Sequence, residues 1–235
     1  MNSEKNSKKK RKLGTNFCQD FVKATGGIPA LLWFRLKLLY PYGKPKTKGG
    51  ILVSSNHISY FDPFIVFCLF KWRRIYTLTT KDLFRTKSMA TFFRLMHCIE
   101  VDKENFSFSS FHTVVEKLSE GKMVSIFPEG QINTTGDSEN PLAFKSGVVL
   151  MAHKSSAPIL PLYIVKREKW YHRQRVVVGK PIDVREELGA FPSLEALNRV
   201  SNLIREEEMK LIEYYNSLKA PKNSDKENKS LQGAT

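Results

Sequence analysis

Cysteine is scarce in this sequence, and its scarcity excludes two kinds of structure. The three cysteines are isolated and odd in number, at Cys18, Cys68 and Cys98. They allow neither a disulfide framework nor a Cys-x-x-Cys zinc spacing, which fits a reducing compartment. The five histidines are scattered as well, without a His-Glu-x-x-His motif. We therefore expect no metal and no bound cofactor.

Long apolar runs are also missing. No segment reaches the roughly 18 uninterrupted apolar residues of a membrane-spanning helix, and the basic start leads into "LGTNFCQDF" rather than a signal peptide. In "GGIPALLWFRLKLLYPYG", residues 26–43, helical spacing relates Ile28, Leu32, Leu36 and Leu39. The aromatic rings and basic residues of this stretch suit an interfacial helix, and a surface helix packed on the core fits equally well. We predict an amphipathic helical segment over residues 15–45, at a membrane interface.

Acidic residues are too few to balance the basic ones. Thirty-eight lysines and arginines stand against 23 aspartates and glutamates, a formal net charge of +15. Such a charge favours a polyanionic partner, either nucleic acid or an anionic membrane surface. No aromatic RNA-binding motif or zinc finger supports nucleic acid, so we expect none as a partner. The charged ends, residues 1–14 and 219–235, are predicted to be disordered tails.

Between the ends, β-rich runs alternate with helical patterns. Six runs rich in Val and Ile are predicted strands: "ILVSS", "RIYTLT", "CIEVD", "KMVSIF", "ILPLYIV" and "RVVVG". Helical patterns occupy residues 107–120, 144–155 and 193–218. The alternation predicts a single α/β domain over residues 46–218, with a largely parallel central sheet flanked by helices. Ligands of such a sheet bind at the carboxyl ends of its strands.

The spacing His-x-x-x-x-Asp occurs twice, in "HISYFD" and in "HCIEVD". The second copy reads as a strand, on which residues five apart point to opposite faces, so His97 and Asp102 should not meet. In the first copy, His57 follows the predicted strand "ILVSS" and Asp62 precedes an apolar run. A turn between them lets the carboxylate accept a hydrogen bond from the imidazole, as a histidine general base requires.

Asp62 also has a purely structural interpretation. Asp followed by Pro is typical of a helix N-cap and first helical residue. Asn56 is suited to hold the turn through a side-chain bond to backbone. The local pattern permits catalysis without requiring it.

A second polar element follows the predicted strand "KMVSIF". Pro128 ends the strand, Glu129 emerges, and Gly130 permits a tight turn. The Glu129 carboxylate then belongs to the same edge of the sheet as His57. Taken alone, Pro-Glu-Gly is more typical of a solvent-exposed turn.

These elements together resemble the glycerolipid acyltransferase family that includes the 1-acylglycerol-3-phosphate acyltransferases. Over residues 50–185, "NHISYFD", "IEVDK", "FPEG" and "APILPLYI" are similar to that family's four blocks in order and spacing. The resemblance implies transfer of a fatty acyl group from acyl-CoA or acyl-acyl carrier protein to a lysophospholipid hydroxyl, foremost that of 1-acylglycerol 3-phosphate. Because lysolipids reside in a bilayer, we expect a peripheral location on the cytoplasmic face of a membrane.

The resemblance also implies residue roles. His57 takes the proton of the acceptor hydroxyl, and Asp62 orients His57. Glu129 and the Gly130 backbone position the glycerol part of the acceptor. Lys103 stands where the family has a basic residue associated with the acceptor phosphate.

Two departures from the family concern that phosphate. Gln131 and Ile132 follow Gly130 where the family commonly has Thr-Arg, and Lys103 replaces an arginine. Lys145 is a second candidate for the phosphate. Another lysophospholipid or glycerol 3-phosphate therefore stays open as the acceptor. The alternative of another class is a non-catalytic basic protein that binds anionic lipid or nucleic acid.

Overall fold

The computed structural model describes residues 16–70, 72–102, 108–133, 144–167 and 172–219. The strands are β1 Lys37–Leu39, β2 Ile51–Ser55, β3 Ile75–Thr80, β4 Cys98–Val101, β5 Met123–Ile126, β6 Ile159–Ile164 and β7 Arg175–Val178. The helices are α1 at residues 16–22, α2 Ile28–Phe34, α3 Asp62–Leu69, α4 Lys87–Leu95, α5 Phe108–Ser119, α6 Gly147–Ser155 and α7 Leu194–Ser217. A π-helical turn, Lys23–Gly27, joins α1 to α2.

The strands form one sheet in the order β1-β7-β6-β2-β5-β3-β4. From β6 to β4 all neighbours are parallel, whereas β7 and β1 run in the opposite direction. Ser54 of β2 lies opposite both Ile126 of β5 and Pro161 of β6, so these three strands end side by side. The predicted α/β fold with a largely parallel sheet is confirmed. The predicted tails lie almost wholly outside the described residues.

Helices cover both faces of the sheet and so bury its central strands completely. One face packs on α5, α6 and the first half of α7, around residues such as Leu52 and Val124. The other face packs on α3 and the N-terminal segment, around Ile51 and Val53. Parallel strands covered on both faces have near-continuous apolar sequences, as "ILVSS" and "ILPLYI" do. The loops at the strand ends are therefore the part of the sheet that is open to ligands.

The prediction of one helix across residues 26–43 was wrong in its second half. The helix ends at Phe34, because Arg35 adopts a left-handed conformation with φ of 46°. The backbone then pairs with the neighbourhood of β7: Gln174 donates to Phe34 O at 2.8 Å, and Lys37 donates to Gln174 O at 2.8 Å. Residues 37–39 become the edge strand β1. Partners from residues 174–177 supply these bonds, and local periodicity contains no sign of them.

The helical half of the segment has an apolar outer surface. Exposed large apolar side chains are Phe17, Phe21, Leu32 and Trp33. Leu36, Leu38 and Tyr40 instead pack partly buried against the core. Among the residues that the structure describes, no helix is both long enough and apolar enough to traverse a bilayer.

Candidate active site

His57 and Asp62 form a hydrogen-bonded pair at the carboxyl end of β2. His57 Nδ1 lies 2.9 Å from Asp62 Oδ2. The same oxygen accepts the backbone N–H groups of Ile58 and Ser59, each at 2.7 Å. The Asp62 side chain is almost fully buried, at 1% exposure, while His57 keeps 17%. A rigid carboxylate thus holds an imidazole that solvent and a substrate can reach.

The N-cap interpretation of Asp62 is wrong. Asp62 is the first residue of α3, Phe61 occupies the N-cap position, and no side chain caps the helix. The carboxylate turns back onto the loop before the helix instead. Pro63 supports the helix start because its missing N–H has no intrahelical partner there in any case.

Neighbouring elements fix the loop that carries His57. Asn56 bonds the backbone of Ile164 in β6 in both directions, through Nδ2 to O at 3.0 Å and Oδ1 from N at 2.7 Å. On the other side, Asn133 donates its backbone N–H to His57 O at 2.7 Å. The His57 ring stacks on Phe127, with ring centroids 4.3 Å apart. The loop after β2 is therefore tied to the strands on both sides of it, as an orienting role for Asn56 requires.

Glu129 and Gly130 form a tight turn at the end of β5. Gly130 has φ of 70° and donates its N–H to Phe127 O at 3.0 Å. The Glu129 side chain is buried rather than solvent-exposed, so the solvent-turn interpretation is wrong. A Cβ on Gly130 would meet Lys145 Nζ at 3.0 Å. The exposed Lys145 side chain therefore lies across this turn, beside the His57 loop.

A buried carboxyl group that the sequence did not single out lies behind the turn. Glu208, in the middle of α7, is 1% exposed. Burial raises its pKa well above the usual range, and the Glu129 carboxylate raises this pKa further. The Asn56 backbone N–H and Arg205 act in the opposite direction. The sequence contains one sign of this buried carboxyl group, because Glu208 falls on the apolar stripe of α7.

The second histidine–aspartate spacing forms no comparable pair. His97 has φ of 61°, is buried, and stacks on Tyr76 with ring centroids 4.6 Å apart. Asp102 accepts a hydrogen bond from Lys81 at 2.6 Å. Burial lowers the pKa of His97 to about 4, so its ring is neutral at physiological pH.

Lys103 lies outside the described residues, and its phosphate role stays a prediction. Among the described residues, no group of three His, Cys, Asp or Glu side chains is arranged to hold a metal ion. Next to the pair, a cavity of about 230 Å³ is lined by Ile58, Ser59 and Asp62.

The described site is a histidine–aspartate pair at the carboxyl edge of a parallel sheet, and comparison with known proteins supplies the family. Residues 40–165, more than half of the chain, match the family model for acyltransferases. The chain belongs to the acyltransferase family, which confirms the prediction of an enzyme and the resemblance drawn from the four motifs.

Individual relatives agree with the family. The chain is 27% identical to the 1-acyl-sn-glycerol-3-phosphate acyltransferase of Bacillus subtilis (strain 168), over 67% of this chain and 79% of that one. It is 26% identical to the enzyme of the same name from Borreliella burgdorferi, over 64% of this chain and 60% of that one. The crystal structure of the 1-acyl-sn-glycerophosphate acyltransferase PlsC from Thermotoga maritima has the same fold, with a TM-score of 0.56 at 20% identity over 89% of this chain and 83% of that one.

Proposed function

We propose that this enzyme transfers a fatty acyl group from an acyl thioester to the free hydroxyl of 1-acylglycerol 3-phosphate, giving phosphatidate, without a bound cofactor. The observation that carries the proposal is the His57–Asp62 pair, whose two side chains lie 2.9 Å apart at the rim of the sheet. The names of the bacterial relatives support the choice of acceptor.

The geometry of the pair supports one assignment of the protons. Asp62 Oδ2 already accepts two backbone N–H groups, so His57 Nδ1 is the donor in the third bond. Nε2 then holds the lone pair and takes the proton of the acceptor hydroxyl as its oxygen attacks the thioester carbonyl. The Asp62 carboxylate stabilises the imidazolium that forms. Collapse of the tetrahedral intermediate breaks the C–S bond, and the imidazolium returns its proton to the departing sulfur.

Basic residues near the pair support a phosphorylated acceptor. The turn at Gly130 follows β5, next to the His57 loop, and Lys145 lies across it. The acceptor phosphate is proposed to bind Lys103 and Lys145, with the glycerol part against the Glu129–Gly130 turn. A lysine supplies charge to a phosphate but not the bidentate fork of the arginines for which it substitutes.

A peripheral location on the cytoplasmic face of a membrane completes the proposal. Tyr60 and Phe61, next to His57, are exposed, and Phe61 lies 6.4 Å from Phe34 of α2 between ring centroids. The contact places the exposed side chains of the His57 loop beside the carboxyl end of α2, next to exposed Leu32 and Trp33. A lysolipid that stays in the bilayer surface would reach His57 along this surface.

Product analysis tests the proposal directly. Purified enzyme is incubated with a panel of 1-acylglycerol 3-phosphate, other lysophospholipids and glycerol 3-phosphate, each with acyl-CoA and with acyl-acyl carrier protein, and products are identified by mass spectrometry. Phosphatidate is the expected main product. A preference for a neutral or zwitterionic lysolipid would refute the acceptor, and the absence of transfer to any hydroxyl would refute the reaction.

A further inference from the structure

The described part of the chain contains a second, larger cavity with a strongly basic lining. It has a volume of about 590 Å³. Six of the nine residues that line it are lysine or arginine: Arg35, Lys166, Arg167, Arg173, Arg175 and Lys219. No carboxylate belongs to this described lining. Pockets for nucleotide-sized ligands have volumes of about 300–1,000 Å³, so the cavity suits a ligand of that size. We call it the basic cavity.

The basic cavity opens on the same edge of the sheet as His57. Val165 N donates to Arg175 O at 3.0 Å, which places the start of β7 beside the end of β6. β1 pairs with β7 in parallel register from Lys37 and Arg175, so Arg35 reaches the same edge. The cations of the basic cavity therefore come from three separate segments of the chain and from the carboxyl end of α7. Cations gathered from distant parts of the chain into one cavity attract a polyanionic ligand.

Contacts between the walls hold several of these cations in position. Arg175 donates to Tyr215 Oη at 2.9 Å, and Lys219 lies 5.0 Å from the centre of the same ring. Arg167 lies over the ring of Phe34 at 4.8 Å. Buried Gln174 joins the walls, because its Nε2 donates to Val165 O at 2.7 Å. Neighbouring side chains and backbone groups thus hold several of the cations in place, as a binding site requires.

The basic cavity adjoins the smaller cavity that lies beside Asp62. Val165, Lys166 and Arg167 line it and also line the 230 Å³ cavity beside Asp62. Apolar side chains of that smaller cavity include Phe34 and Ile65. A ligand that spans both cavities would contact the cations at one end and reach Ile58 and Asp62, the neighbours of His57, at the other.

We propose that the basic cavity binds the phosphates of coenzyme A in an acyl-CoA donor, with the pantetheine arm lying in the smaller cavity and the thioester at His57. The proposal rests on the proposed function and selects between its two donors. Coenzyme A carries a pyrophosphate and a 3′-phosphate at the end remote from its sulfur, which matches a group of cations remote from His57. Arginine and lysine are the side chains that bind phosphate groups most strongly.

Binding of coenzyme A without turnover tests the proposal. Calorimetric titration of the full chain should give tighter binding of coenzyme A than of dephospho-coenzyme A, which lacks the 3′-phosphate. The double variant Lys166→Gln/Arg173→Gln should weaken coenzyme A binding about tenfold or more, because each lost hydrogen bond to a charged group is worth at least about that factor. Arg35→Gln is a second, independent variant with the same expected direction. Unchanged coenzyme A affinity in both folded variants would overturn the proposal.

A matched control removes two cations from the opposite edge of the sheet. Lys180 follows the carboxyl end of β7, and Lys154 lies near the end of α6, before β6 begins; both are exposed. Lys154→Gln/Lys180→Gln changes the net charge by the same amount and should leave coenzyme A affinity unchanged. An equal loss in this control would overturn the proposal, because the effect would then be one of overall charge. A cavity variant that keeps its affinity for coenzyme A and loses affinity only for vesicles containing phosphatidylglycerol would also overturn the proposal.

Activity measurements separate this proposal from the proposed function. The cavity variants should raise the KM for acyl-CoA, with kcat little changed and with no effect on acyl-phosphopantetheine, which lacks the nucleotide. If the cavity variants lose coenzyme A binding but the wild-type enzyme transfers no acyl group, the result would support the binding site and refute the proposed reaction. Acyl transfer from acyl-CoA with normal KM in both variants would support the reaction and refute the cavity.

Discussion

Asp62 directs His57 through a single oxygen atom. Oδ2 lies 2.9 Å from His57 Nδ1 and accepts two backbone N–H groups. Asp62→Asn keeps the size of the side chain but removes the charge that stabilises the imidazolium and permits the wrong tautomer. We predict a fall in kcat of about 10⁴-fold, the effect of the equivalent change in a serine-protease triad. Steady-state kinetics with saturating donor measure it.

His57→Ala and His97→Ala make an internal comparison for this prediction. His57→Ala should abolish transfer with the fold intact, because the side chain is at the rim and is 17% exposed. His97→Ala should lower the melting temperature, since a buried ring stacked on Tyr76 is lost, and leave kcat nearly unchanged. Loss of activity in His97→Ala with normal activity in His57→Ala would show that the wrong pair was chosen.

Lys103 gives a prediction about the acceptor. Lys103→Ala should raise the KM for 1-acylglycerol 3-phosphate more than it lowers kcat, because a charge–phosphate contact is present in ground and transition states alike. A neutral acceptor should show little change. Kinetics with a charged and a neutral acceptor make the comparison, and equal effects on both would remove Lys103 from the phosphate site.

At the scale of elements, the sequence predicted the six strands from β2 to β7 and the helices α5, α6 and α7. The apolar runs of β2, β5 and β6 are buried on both faces, and such burial produces a signal that is visible locally. The strand β1 was missed because its pairing with β7 joins residues far apart in the chain. The bond from Asn133 to His57 O was missed for the same reason. The site was predictable where one loop forms it, as between His57 and Asp62, and not where several elements meet.

The contact between α7 and the turn after β5 gives a prediction about pH. The pKa of Glu208 is raised in the folded protein, so the folded state retains a proton that the unfolded chain releases above its usual pKa of about 4.3. Stability should therefore fall as pH rises from that value toward the folded pKa, by about 1.4 kcal/mol per pH unit. Glu208→Gln removes this loss and should raise the melting temperature at pH 7 but not at pH 4.

Thermal denaturation over a pH series tests this prediction, with Glu207→Gln as the neighbouring control. Glu207 is on the same helix and pairs with Lys210 near the surface, where ion pairs contribute little. Its variant should follow the wild-type pH dependence. A lower melting temperature for Glu208→Gln at pH 7 than at pH 4, relative to wild type, would mean that Glu208 is ionised and stabilised by Arg205.

At the scale of the whole molecule, the proposed membrane binding has two separable contributions, one from charge and one from exposed apolar surface. Each basic residue that lies near anionic lipid adds about 1 kcal/mol to the free energy of membrane binding. Salt screens this part, with a Debye length of about 8 Å near physiological ionic strength. Apolar insertion through α1 and α2 resists salt. Deleting residues 1–12, which contain "KKKRK", should therefore weaken binding to anionic liposomes mainly at low salt.

The apolar contribution is best tested by substitution, because a deletion through residue 42 would also remove β1 and the packing of Leu36 and Leu38. Leu32→Ser/Trp33→Ser changes two exposed side chains of α2 and should weaken liposome flotation at all salt concentrations. Phe191→Ser/Leu194→Ser is the matched control, since both side chains are exposed, at 93% and 68%. They lie at the start of α7, whose first half packs on the opposite face of the sheet from α2. If the α2 variant still floats with neutral liposomes in high salt, the N-terminal segment is not the anchor, and another surface of the domain must contact the membrane.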